Sequence, residues 1–138
     1  MFNFPLFIHL AGLIIGLGAV TVIDFLGFTS RKSKNLTQVT ISAHHVTKPL
    51  IWLGTILLAI SWIFLYENNL LPNLKSILLL IMVLNGIFLS FYVSPRLDNL
   101  IGKNVLLPFS LQVKITISML ISFFSWWTFV VLTVISLS

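Results

Sequence analysis

The sequence predicts an all-α fold, a bundle of four transmembrane helices, and three observations carry that prediction. Of the 138 residues, 58% are hydrophobic and 8% charged, where an ordinary soluble domain carries about 25% charged residues. Four apolar segments follow one another, at residues 4–28, 50–66, 76–93 and 115–138, and crossing a bilayer takes about 17–25 residues of helix. The basic side chains are also distributed unevenly. Arg31, Lys32, Lys34 and Lys48 separate segments one and two, and Arg96, Lys103 and Lys114 separate three and four, while Lys75 alone stands between two and three. The positive-inside rule then places both basic connections in the cytoplasm and both termini outside. Residues 1–138 are expected to form one multi-pass domain of the cytoplasmic membrane.

Segment one lacks the basic start and Ala-x-Ala site of a signal peptide, so it reads as a retained helix. Gly12 and Gly16 form a small-xxx-small pair that lets another helix approach closely. His9, Gly16 and Asp24 fall on a similar face at 3.6 residues per turn, which should look into the bundle. Ser33 or Asn35 can cap a further helix starting near Leu36, with Val39, Ala43, Val46 and Leu50 continuing its apolar stripe. Pro49 interrupts that stripe, so a cytoplasmic helical extension is expected to enter the membrane near Pro49 as segment two. The turn at 67–73, with Asn68-Asn69 and Pro72, makes segments two and three antiparallel neighbours. Residues 94–114, with Pro95, Gly102 and Pro108, should be mostly loop before segment four.

Asp24 is the only acidic residue within the apolar segments, and a carboxylate at mid-bilayer costs roughly 2.5–3.5 kcal/mol on insertion scales. Its nearest candidate partners in sequence are His44, His45 and Lys48. That cluster reads either as a proton-accepting or metal-binding centre, or as an ion pair of Asp24 with Lys48 or a histidine. No HExxH or comparable ligand spacing supports the metal version. His9 is a second candidate, as an interfacial histidine bonded to a neighbouring helix or as a haem b ligand. It lies 15 residues before Asp24, about 22 Å along a helix axis, so one haem cannot join His9 to His44 or His45. Haem on His9 alone, or on His44 or His45 at the cytoplasmic level, stays open. A third polar layer holds Asn85 with Ser118, Ser122 and Ser125, beside Trp126 and Trp127. Either these side chains bond across the bundle, or they line a cofactor cavity or the pore of an oligomer. Trp52 and Trp62 fit an interfacial belt.

Several function classes fall away. Cysteine is absent, which removes disulfides, thiolate metal sites and cysteine nucleophiles. No phosphate-binding glycine loop, nucleophile elbow or carboxylate pair occurs. The net charge of +5 lies in the membrane-flanking connections, where anionic lipid headgroups are the expected partners and not nucleic acid.

The order of His9-Leu10-Ala11-Gly12, Gly16-Leu17-Gly18, Asp24-Phe25-Leu26, Trp52-Leu53-Gly54, Lys75 before helix three, Asn85-Gly86, Pro95-Arg96-Leu97 and Ser125-Trp126-Trp127 resembles a family of small, poorly characterised bacterial four-helix membrane proteins. Some of its members are joined to cytochrome-b5-like haem domains, and the resemblance implies a membrane redox setting. The size and helix count also resemble those of the four-helix bacterial protoporphyrinogen oxidases, without their basic, tyrosine-rich continuation after helix one. The expectation is a structural or redox-associated membrane component, with haem b as the cofactor the resemblance suggests and Asp24 with His44 and His45 as its polar centre. The alternative is a subunit of an oligomeric proton or cation channel or transporter, acting alone or in a larger complex, that uses Asp24, Asn85 and the serines of segment four.

Overall fold

The structure, a computed structural model, describes residues 2–137 and is helical throughout, with no strand among them. Met1 and Ser138, the ends of the predicted domain and of segment four, lie outside the described residues. The long elements are α1 (Phe4–Thr29), α2 (Lys34–Leu65), α3 (Leu70–Phe88) and α5 (Phe109–Leu137). A π-helical turn (Leu89–Val93) and the short α4 (Ser94–Asp98) continue α3 without a break. Four helices, counting Leu70–Asp98 as one, are long and apolar enough to cross a membrane.

Local chemistry sets the ends. The Asn3 side chain accepts from the Leu6 amide at 3.1 Å and caps α1, and Ser33 caps α2 through the Leu36 amide at 3.2 Å, satisfying donors that a helix start leaves free. The Ser33 cap is one of the two the sequence offers. Pro49 does not end its helix: α2 runs through it for 32 residues, about 48 Å against a hydrocarbon core of about 30 Å. The expected extension and segment two are therefore one rod.

Three boundaries differ from the sequence reading, each beside a proline weighed as a breaker; α5 starts at Phe109, directly after Pro108, and not at residue 115. Helix α3 starts at Leu70 and not at residue 76. Pro72 falls in its first turn, where the missing N–H would have had no partner. Likewise Pro95 opens α4, so the connection expected at 94–114 shrinks to residues 99–108. The side chain of Gln38 holds that loop, donating to the carbonyls of Leu100 and Lys103 and accepting from the Gly102 amide.

The closest helix pair is α1 with α2. A Cβ on Gly12 would stand 2.8 Å from the Gly54 carbonyl oxygen, and one on Gly54 would stand 2.7 Å from that of Gly12. Backbones can meet this closely only where neither residue carries a side chain. Gly16 continues the contact by receiving the Trp126 indole of α5. Trp52 and Trp62, expected as belt residues, tie α2 to the π-helical turn and to α3, their indole N–H groups donating to Ser90 and Ser76 at 2.8 Å each. Leu13, Val20, Leu58, Leu79, Met82, Trp126 and Phe129 form the apolar centre where these helices meet.

Candidate functional site

Two polar stations lie inside the bundle, one on each side of that apolar centre. The first sits where α1 begins and α2 ends. His9 is 1% exposed and Lys75 is 4% exposed, so the lysine expected in a turn is buried among helices. The Lys75 Nζ and His9 Nε2 are 3.1 Å apart, and His9 Nδ1 lies 3.0 Å from the Ser61 hydroxyl. Ser61 gives its own hydrogen to the Leu58 carbonyl at 2.9 Å. A hydroxyl has one hydrogen to donate, so Ser61 accepts from His9, and Nδ1 carries the ring proton. Nε2 is then the acceptor for the Lys75 amine. Trp62 and Phe129 complete the enclosure, with Nζ 4.7 and 4.8 Å from their ring centroids. Cation–π attraction of this kind contributes about 2 kcal/mol or more when desolvated. No carboxylate joins the group. Sequence reading placed His9 inside the bundle, bonded to a neighbouring helix, and it is bonded to two. It noted Lys75 only as a residue before helix three and not as part of a site, because the helix was expected to start at residue 76 and starts at Leu70.

The second station centres on Asp24, which is 5% exposed. Its Oδ2 is buried without a hydrogen-bond partner, as is the Thr21 hydroxyl one turn earlier on α1. Asp24 borders a partly enclosed cavity of about 90 Å³ that Arg31, Thr40, His44, Asn85, Ser122 and Trp126 also line. That is room for a few water molecules. Around it, His44 is hydrogen-bonded through Nε2 to Ser94 at 2.6 Å. Asn85 donates to the Ser118 carbonyl at 3.1 Å and accepts from the Ser118 hydroxyl at 2.7 Å. The cross-bundle bond expected of Asn85 is present, with Ser118 as its partner and not Ser122 or Ser125.

The predicted Asp24 cluster is thus divided. Asp24 and His44 share the cavity, but the expected ion pair of Asp24 with Lys48 or a histidine is not formed. The ion pair among the described residues joins His45 Nε2 to Asp98 at 3.0 Å, and both side chains are about half exposed. Lys48 does not line the cavity. Ser118, Ser122 and Ser125 are all buried within the single chain, so they do not offer the outward pore lining that an oligomeric channel built on that face would need. Trp126 is buried while Trp127 points outward, 41% exposed.

These residues lend haem b no support. Both ring nitrogens of His9 are engaged, and Nε2 of His44 and of His45 is engaged too. The cavity is also far below the roughly 300–1,000 Å³ of a small-molecule site. Among the described residues, no group of three His, Cys, Asp or Glu side chains could hold a metal ion. What the second station offers is one carboxyl and several hydroxyls in a partly enclosed space sized for water, with His44, Asn85, Gln112 and the Arg31 cation on its wall. Comparison with protein-family models, with curated proteins and with solved structures finds no match, so the chemistry rests on these side chains themselves.

Proposed function

We propose that the chain is a multi-pass protein of the cytoplasmic membrane, with both termini outside, in which Asp24 binds a proton or a small monovalent cation as part of a transfer pathway. One observation carries this reading: Asp24 borders a cavity within the bundle, and its Oδ2 is buried without any hydrogen-bond partner from the chain. An ionised carboxylate removed from water without a partner costs several kcal/mol. A proton or a cation with its waters offsets that cost, and ionisable groups inside membranes commonly mark such routes. The hydroxyls of Thr40 and Ser122 supply further oxygens, and His44 borders the same space. The His9–Lys75 pair is a second proton-holding group beyond the apolar centre. Trp126 and Met82 belong both to that centre and to the cavity wall, so transfer between the stations requires them to move.

The test is flux into liposomes holding a pH-sensitive dye, driven by a potassium diffusion potential. Wild-type protein is expected to acidify or alkalinise the lumen according to the imposed potential. Asp24→Asn, checked for an unchanged elution profile and helix content, is expected to abolish the response, and His45→Gln to keep it. Flux no greater than in empty liposomes, or undiminished in Asp24→Asn, would leave a structural membrane component in place of a pathway.

A further inference from the structure

Beyond the transmembrane interior, two cations converge on a single aromatic ring. The Arg96 guanidinium lies 3.6 Å from the ring centroid of Tyr92, and its Nη1 donates to the Tyr92 carbonyl at 2.8 Å. The Lys114 ammonium donates to the Tyr92 hydroxyl at 2.6 Å and stands 5.0 Å from the same centroid. Phe88 stacks on that ring at 5.1 Å with an angle of 13° between planes, which holds the platform still. Two like charges brought together repel, and no acidic residue lines the open pocket of about 310 Å³ that they share with Asn99 and Ser110. Asp98, the acidic residue nearest in sequence, is spent on His45. Most donors of the guanidinium fork and of the ammonium remain unused by the chain.

We propose that this pocket between α4 and the start of α5 is a phosphate site, taking the phosphate of an anionic phospholipid headgroup or of a free phosphate ester. Arg96 supplies the planar fork that pairs two phosphate oxygens, and Lys114 supplies a point charge beside it. The Asn99 amide and the Ser110 hydroxyl add neutral donors at the rim. An anion held there removes the mutual repulsion of the two cations, which the chain itself leaves uncompensated. The pocket also lies on the side where basic residues collect, which sharpens a general attraction to anionic headgroups into one place with named ligands.

Native mass spectrometry of the full chain in detergent, titrated with phosphatidylglycerol and separately with phosphatidylcholine, tests the site, with glycerol phosphate and inorganic phosphate as soluble competitors. Retention of phosphatidylglycerol over phosphatidylcholine is expected, weakened about tenfold in Arg96→Gln and in Lys114→Gln, because each removes a charge-assisted contact. Arg96→Lys should recover only part, since it restores charge without the fork. Lys32→Gln removes an equal charge elsewhere and should leave retention unchanged. Competition by glycerol phosphate identifies a free phosphate ester as the ligand, and its failure identifies the lipid. Equal losses in Arg96→Gln and Lys32→Gln, or no preference for phosphatidylglycerol, overturn the site in favour of unspecific surface charge.

Discussion

His9 and Lys75 hold each other in place, and their energies should reflect it. His9→Phe leaves the buried Lys75 amine without its acceptor, a loss of about 1–3 kcal/mol. Lys75→Met leaves His9 Nε2 without a donor, about 1–3 kcal/mol. The double variant buries two apolar groups among Trp62 and Phe129 and should lose less than the sum of the singles, by about 1–3 kcal/mol. Thermal unfolding of the four proteins in one mild detergent measures this, and additive losses would mean that the two side chains act independently. At this scale the sequence was only half legible. His9, Asp24 and Asn85 could be singled out because polar residues inside apolar segments are costly, and His44 as a candidate partner of Asp24; each is buried or lines the cavity. Lys75 was placed just before helix three, and only the start of α3 at Leu70 puts it inside the bundle.

Among the elements, the crossing of α1 and α2 is the feature most sensitive to a single methyl group. Gly12→Ala sets a Cβ 2.8 Å from the Gly54 carbonyl and 3.0 Å from the Leu57 Cβ. The nearer contact is backbone, which cannot swing aside as a side chain can. An overpacked contact of this kind costs about 1–3 kcal/mol. Gly18 lies on the same helix with nothing within 4 Å of a new Cβ. Gly18→Ala should therefore be neutral or gain up to about 1 kcal/mol from helix propensity. Urea or thermal unfolding of the two variants side by side separates packing from propensity, and equal effects would count against a glycine-dependent crossing. The small-xxx-small spacing of Gly12 and Gly16 was visible in the sequence. That Gly54 on α2 completes the contact, and that Gly16 faces an indole from α5, depended on which helices pair.

For the whole molecule, the proposed orientation places the turn at 66–69 outside and the loop at 99–108 in the cytoplasm. Because the chain has no cysteine, single cysteines report this without background. In intact cells, Asn68→Cys should react with a membrane-impermeant maleimide, whereas Asn104→Cys should react only after permeabilisation. The reverse pattern would invert the bundle and move the Arg96–Lys114 pocket to the outer surface.

The sequence by itself determined the class of molecule and the number of its long helices. Four apolar stretches of spanning length, few charges and a one-sided basic bias are properties of composition and order, which no packing arrangement can change. It also determined that Asp24 needs a reason to be buried. Only the tertiary structure decided what surrounds each polar group. It turned His45 outward to Asp98, left Asp24 facing a cavity in place of Lys48, and brought Lys75 onto His9 across 66 residues of chain. The physical reason is that a polar side chain in an apolar helix declares a cost locally, while the partner that offsets the cost is chosen by helix pairing, rotation and depth. Those three quantities are set by where Gly12, Gly16 and Gly54 allow the backbones to meet.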